Sequence, residues 1–502
     1  MTTAIGTSDL PSPKDYGLPD ELDIARLAAV YFTGFPAKQE SGAYSPEVIS
    51  AAETKPSYES AKIPKSNYKL TEPGGYSPIL LPALPLVPSY ESPKIPGSAA
   101  YLSIREIRGD FPILSEKVDG KNLIWFDNAA TTQKPKQVIE RLKYFYEHEN
   151  SNVHRGAHTL AARATDAFEL AREKTARFLG AKGKENIVFV RGTTEGINLV
   201  AQSFVKPLLR PGDEIILTHL EHHANIVPWQ IIAEETRAVI RVAPVDDTGQ
   251  IIVSEYARLF NPRTKFAAAT HVSNALGTVA PVRELIGIAH SYRVKILIDG
   301  AQSVAHVPLD VTALDADFFV FSGHKIFAPT GIGALYGKED LLGAARPYQG
   351  GGNMIADVTF ERTIYQKAPE KFEAGTGNIA DAVGLGAALD YVSWVGIERI
   401  AAYEHELLQY GTEALRSVNG LTLIGTAADK ASILSFVLKG HDNAEVGKYL
   451  SRAGIAVRAG HHCAQPILRR FGLEGTVRPS IAFYNTFDEL ARLKEVLLEL
   501  TR

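Results

Sequence analysis

Five short apolar runs, each unbroken and each followed at once by polar residues, constrain this chain more than any other feature. Ile187-Val-Phe-Val190 leads into Arg191-Gly-Thr-Thr194, and Glu214-Ile-Ile-Leu217 into Thr218-His219. Phe266-Ala-Ala-Ala269 leads into Thr270-His-Val-Ser-Asn274, Lys295-Ile-Leu-Ile298 into Asp299-Gly300, and Phe318-Phe-Val-Phe321 into Ser322-Gly-His-Lys325. A strand that alternates polar and apolar residues buries one face. A strand without alternation buries both, as in a mostly parallel sheet flanked by helices. The intervening stretches read as helices, so the expected class is α/β. The polar clusters then fall at the carboxyl ends of the strands, where open sheets of this kind bind ligands.

The first hundred residues do not share this pattern. They hold 14 of the 28 prolines, with 8 Lys/Arg against 11 Asp/Glu. Proline removes backbone donors and disfavours helix and strand interiors. Residues 1–100 are therefore expected to form a disordered or extended Pro-rich extension. Within it, Pro56-Ser-Tyr-Glu-Ser60 and Lys62-Ile-Pro64 recur 32 residues later as Pro88-Ser-Tyr-Glu-Ser92 and Lys94-Ile-Pro96. A short helix is expected near 20–33, with Asp20, Glu21 and Asp23 in its first turn, where the helix dipole favours them. These motifs read either as docking sites or as a tolerated duplication in a linker. From about residue 101 the pattern of apolar runs and helical stretches takes over.

Composition narrows the function classes. The net charge is −4, and no Lys/Arg block or basic stripe is present, so a nucleic-acid surface is not expected. No stretch is apolar enough to span a bilayer. The one cysteine excludes an intrachain disulfide and suits a reducing compartment. With no secretory signal pattern at Met1 to Gly17, a cytoplasmic location is expected.

The candidate chemistry sits in the polar clusters, and each residue has an ordinary alternative. Lys325 can be a catalytic amine or a surface lysine. Asp299 at a buried strand end needs a cationic or donor partner, or it caps a helix, with Gln302 then a solvated neighbour. Gly192-Thr-Thr-Glu195 opens a helix after a strand, which makes an anion site or a plain threonine cap. Glu221-His-His223 and His461-His-Cys463 lack the spaced ligand patterns of metal sites, so no metal is expected and core histidines remain open. Cys463 is a buried small hydrophobe or a reactive thiol. Flanking Gly, His and Pro place it in a loop.

Taken together and in order, these motifs resemble the cysteine desulfurases of the fold-type-I aminotransferase superfamily, in the SufS-like branch. Arg458-Ala-Gly-His-His-Cys463-Ala-Gln-Pro466 belongs to the same set. The resemblance covers about residues 101–502. It implies a large domain, 101–390, built on a seven-stranded, mostly parallel sheet, a smaller α/β C-terminal domain, 391–502, that carries the Cys463 loop, pyridoxal 5'-phosphate as cofactor, L-cysteine as substrate and a homodimer. It implies that Lys325 holds the cofactor covalently, Asp299 pairs with its ring nitrogen, Gln302 contacts its ring hydroxyl and His222 stacks on the ring. Thr193, Thr194, Ser322 and His324 would hold the phosphate, with Thr376 reaching the neighbouring subunit's phosphate. Arg478 would bind the substrate carboxylate, with Asn274 close to the cofactor and Arg458 and His154 lining the pocket. Cys463 would accept the sulfur as a persulfide. Ala459 and Ala328 depart from the usual threonine and glycine of relatives, small changes that imply tuning.

The extension resembles the N-terminal domain of desulfurases packaged as cargo in family 2 (2A) encapsulin shells. That implies a shell protein as partner, with docking to a sulfur-acceptor protein or a passive spacer as rivals. Selenocysteine lyase and an ordinary aminotransferase are the competing activities.

Overall fold

The computed structural model describes residues 104–154 and 157–502. The helix expected near 20–33 and the 32-residue repeat lie outside the described residues.

The apolar runs are strands. The main sheet comprises β1 (Ile187–Val190), β2 (Glu214–Thr218), β3 (Val239–Ala243), β4 (Thr264–Thr270), β5 (Lys295–Asp299), β6 (Phe318–Ser322) and β7 (Gly333–Gly337). Their spatial order is β1-β7-β6-β5-β4-β2-β3. The pairs from β6 through β5, β4 and β2 to β3 are parallel, while β7 runs antiparallel to both of its neighbours. The sheet is thus mixed, with a parallel core.

Alternate residues of each strand enter opposite cores, as the two-residue period of a strand requires. Phe189, Ile216, Ala267, Ile298 and Phe321 join one apolar cluster. Val188, Ile215, Ala268, Leu297 and Val320 join the other. The longer helices backing the first face are α1 (Lys136–His148), α2 (Thr159–Leu179), α5 (Val282–Ser291), α6 (Ile379–Val395) and α7 (Ile397–Arg416). The second face is backed by α3 (Thr193–Val200) and α4 (Val227–Thr236), with the short helix Glu339–Ala344. Between these layers the strands other than the exposed edge strand β3 have no solvated face, which is why their sequences carry no polar alternation.

A smaller antiparallel sheet follows, formed by β8 (Leu421–Ile424), β9 (Ser435–Leu438), β10 (Arg458–Gly460) and β11 (Thr476–Arg478), in the order β8-β9-β11-β10. Helices α8 (Asn443–Arg452) and α9 (Phe487–Leu500) cover it. Thr486 caps α9 reciprocally with Glu489, closing two otherwise unpaired backbone donors. The N-terminal segment enters this body too. Ile124–Trp125 pairs in parallel with Ile455–Ala456, and Phe126 joins the apolar cluster that packs against the smaller sheet. The excursion carries the next residue, Asp127, to the junction between the two sheets.

Candidate active site

Lys325 follows β6 in a single 3-10 turn, Gly323–Lys325. The His324 carbonyl fixes that turn, accepting from Thr132 N–H at 3.0 Å and Thr131 Oγ1 at 3.0 Å. Lys325 keeps some accessible surface, but dense surroundings push its amine down to about 8. Burial is the main cause. The Asp299 charge opposes it, and the Arg478 charge reinforces it. The His324 ring is likewise lowered to about 4 by burial and by the Lys325 and Lys134 charges.

Asp299 ends β5 beside Lys325. It is 3% exposed, and its Oδ1 accepts from Ala301 N–H at 2.9 Å. Burial raises its carboxyl, while that hydrogen bond and Lys325 oppose the rise. The turn after it requires glycine, because a Cβ on Gly300 would lie 1.8 Å from the Phe319 ring. Gln302 is buried next in line, its Nε2 donating to the Ala129 carbonyl at 2.7 Å.

The start of α3 meets the end of β6. Ser322 Oγ accepts from Thr193 N–H at 2.8 Å and shares a hydrogen bond with Thr193 Oγ1 at 2.9 Å. Thr194 is exposed one residue into the helix. Hydroxyls beside a helix N-terminus suit an anion.

His222 stands at the end of the loop after β2. Its Nδ1 accepts from Ala224 N–H at 3.0 Å, leaving the ring proton on Nε2. Burial first, then the Lys325 charge, lower the ring to about 3, so it is neutral near pH 7. The preceding Glu221 is fully buried. It accepts from Thr218 Oγ1 at 2.5 Å, Asn225 Nδ2 at 2.6 Å and Thr270 N–H at 3.0 Å. Burial nonetheless raises its carboxyl to about 8.

The small sheet brings two arginines opposite each other, Arg458 on β10 and Arg478 on β11. Like charges in that register repel. Asp127 lies between them, 2.9 Å from Arg458 Nη2 and 3.2 Å from Arg478 Nη2. Arg478 is 2% exposed, and burial lowers it to about 10. Its Nη1 donates to the Asn274 carbonyl at 2.9 Å. Asn274 Nδ2 in turn donates to the His462 carbonyl at 2.6 Å. Cys463 follows, exposed, and its carbonyl accepts from His223 N–H at 2.8 Å. One continuous array therefore joins Lys325, Asp299 and His222 at the ends of the main-sheet strands to Arg478, Arg458 and Cys463 on and beside the small sheet.

Two candidates lie elsewhere. His154 points its Nε2 at Glu169, 3.1 Å away. It lines a cleft of about 790 Å3 together with Arg191, Asn353 and Thr376, and Lys325 is not part of that lining.

Several residues of the array escaped the sequence reading. Asp127 carried the same signal as the strand-end clusters, since it follows the apolar Ile124-Trp-Phe126 and opens a polar stretch. The triplet was too short to stand out. Thr131 and Thr132 gave no local signal of their own.

Comparison with known proteins comes to the same place. Residues 124–493 match the aminotransferase class-V family model. A probable cysteine desulfurase of Mycolicibacterium paratuberculosis is 66% identical over 77% of this chain, and the chain spans 56% of that longer protein. A cysteine desulfurase of Pectobacterium atrosepticum is 50% identical over 78% of this chain and 96% of its own length. The crystal structure of the cysteine desulfurase CsdA from Escherichia coli, in an S-sulfonic acid form, superposes with a TM-score of 0.74. It is 39% identical, covering 80% of this chain and 99% of that one.

Proposed function

The chain belongs to the cysteine desulfurases of the class-V aminotransferase family, and from that premise we propose that it converts L-cysteine to L-alanine, leaving the sulfur as a persulfide on Cys463. The observation that carries this reading is the convergence of an amine of lowered basicity, Lys325, with the exposed thiol of Cys463 in one electrostatic array.

Pyridoxal 5'-phosphate is the cofactor, and the residues fit it. Asp299 is a buried carboxyl whose polar neighbourhood calls for a cation, which a protonated pyridine nitrogen supplies. Lys325 would hold the cofactor, with Gln302 at its ring hydroxyl and His222 against its ring. Thr193, Thr194, Ser322 and His324 would take the phosphate. When bound, the cofactor supplies an electron sink for charge developing at the substrate α-carbon.

The protein's own groups account for the other steps. Arg478 binds the substrate carboxylate, and Arg458 and Asn274 border it. The Lys325 amine removes the α-proton, its low basicity leaving a usable neutral fraction near pH 7. His222 is neutral with its proton on Nε2 and can return a proton to carbon. The Cys463 thiolate attacks the substrate sulfur, and a sulfur–sulfur bond forms as the carbon–sulfur bond breaks. The electron pair goes to carbon, which takes up a proton and leaves as alanine. Selenocysteine is a chemically parallel substrate. His154 and Thr376 line a cleft whose lining does not include Lys325, which favours a homodimer in which Thr376 completes the partner's phosphate site.

The test is alanine production from L-cysteine with a reductant present. Cys463→Ala should abolish it while leaving cofactor absorbance intact. Full activity in that variant would sink the persulfide route.

For residues 1–100, the repeated Pro-Ser-Tyr-Glu-Ser and Lys-Ile-Pro motifs favour a role as an address for an encapsulin shell. Repeated weak sites on a dimer gain avidity. The alternatives are a SufS-type enzyme whose extension docks a sulfur-acceptor protein, and a passive spacer. Co-expression of an encapsulin shell protein with the full chain, and with residues 101–502, separates them. Loading of the full chain alone supports the address; equal behaviour of both removes it.

A further inference from the structure

The loop that presents Cys463 has an unfavourable backbone. His462 and Cys463 are consecutive and both left-handed, at φ 52° and 53°. Side chains rarely adopt that region, and such a shape persists only where the surroundings hold it. Packing of the thiol does not hold it, because Cys463 is exposed. Hydrogen bonds do. His223 N–H holds the Cys463 carbonyl, His462 Nε2 pairs with Thr476 Oγ1 at 2.8 Å, and Asn274 Nδ2 holds the His462 carbonyl at 2.6 Å. Two side chains from beyond the small sheet reach this loop: Asn274, and His223, whose Nε2 accepts from Gln465 N–H at 3.4 Å; the Asn274 bond is much the shorter.

Asn274 has a second attachment. Its carbonyl accepts from Arg478 Nη1 at 2.9 Å. Two atoms of this pair, Asn274 Oδ1 and Arg478 Nε, are buried and without a hydrogen-bond partner among the described residues. Buried polar atoms are ordinarily paired, so each of the two lacks a partner that a ligand reaching it would supply. An amino acid is complementary to them: its carboxylate accepts from Nε–H, and its N–H donates to Oδ1. A ligand held there acts on the same amide group whose other end grips the loop.

We propose that Asn274 is a positioning residue that links occupancy of the Arg478 carboxylate site to the closed, thiol-presenting shape of the Cys463 loop. The proposal rests on the desulfurase reading and deepens it. The loop is held closed when an amino acid is bound, and it is freer when the site is vacant, as release of sulfur to an acceptor requires.

The test uses the full chain with its cofactor. Cys463 is the single cysteine, so alkylation by iodoacetamide reports on this loop alone. L-Alanine, which has no thiol, serves as the probe. Asn274→Ala removes the anchor, and the isosteric Asn274→Asp replaces its donor with an acceptor while preserving volume. Both should be alkylated about tenfold faster than the parent without alanine, the effect of one lost hydrogen bond. Saturating L-alanine should slow alkylation of the parent and leave both variants within about twofold. Parent-like rates in the variants would overturn the link. So would no effect of alanine on the parent, or equal protection of all three proteins, which means simple shielding. Cofactor absorbance and thermal melts confirm that the variants are folded. Alanine formation from L-cysteine by the parent is measured separately: its absence defeats the desulfurase reading, whereas the alkylation rates bear on the link alone.

Discussion

Lys325 offers the sharpest test of how burial sets reactivity here. Its amine is lowered from 10.5 to about 8, mainly by desolvation, with Asp299 partly restoring it. One unit below its pKa, about a tenth of an amine is neutral. An ordinary lysine at pH 7 is about 0.03% neutral, so the gain in the nucleophilic form is roughly 300-fold. The rate at which cofactor-free protein takes up pyridoxal phosphate should rise about tenfold from pH 7 to 9, then level off. Asp299→Asn removes the charge that holds the proton on, so its midpoint should fall below that of the parent. The assay is stopped-flow absorbance on added pyridoxal phosphate, with borohydride trapping and peptide mapping to confirm attachment at Lys325. The cofactor's own ionisations are common to both proteins, so the difference between them isolates the lysine. A rate that keeps climbing to pH 10 in the parent, or a midpoint that moves upward in Asp299→Asn, would refute the reasoning.

Two further outcomes follow from buried charge. Arg172 is fully buried, with Nη1 and Nη2 on Glu373 at 2.6 and 2.9 Å and Nη1 also on the Ile187 carbonyl at 3.0 Å. Arg172→Ala leaves the Glu373 charge unpaired and should cost about 3–5 kcal/mol in urea unfolding; a loss under about 1 kcal/mol would contradict the pairing. Glu221 has its folded pKa raised from 4.5 to about 8. The folded state therefore binds the extra proton between those values, so its contribution is present below pH 4.5 and lost as pH rises through 8. Thermal melts of Glu221→Gln should show a shallower decline from pH 5 to 8 than the parent, whatever its absolute stability; parallel slopes would show that Glu221 stays charged.

Much of this arrangement was legible in the chain itself. Unbroken apolar runs identify strands buried on both faces, because no solvated face is left to need polar residues. Ile187–Val190 and Phe318–Ser322 illustrate this, each splitting its side chains between the two cores. The same logic placed Asp299, Ser322 and Lys325 at strand ends. What only the tertiary structure decided lies where distant segments meet. Asp127 reaches Arg458 and Arg478 because Ile124–Trp125 pairs with Ile455–Ala456, more than three hundred residues away. The pairing of Asn274 with the Cys463 loop is equally non-local. The reason is physical: local sequence sets which faces are apolar and where the polar ends fall. The pKa of Lys325, the partner of Arg478 and the grip on Cys463 depend on desolvation and charges that only folding brings within a few ångströms.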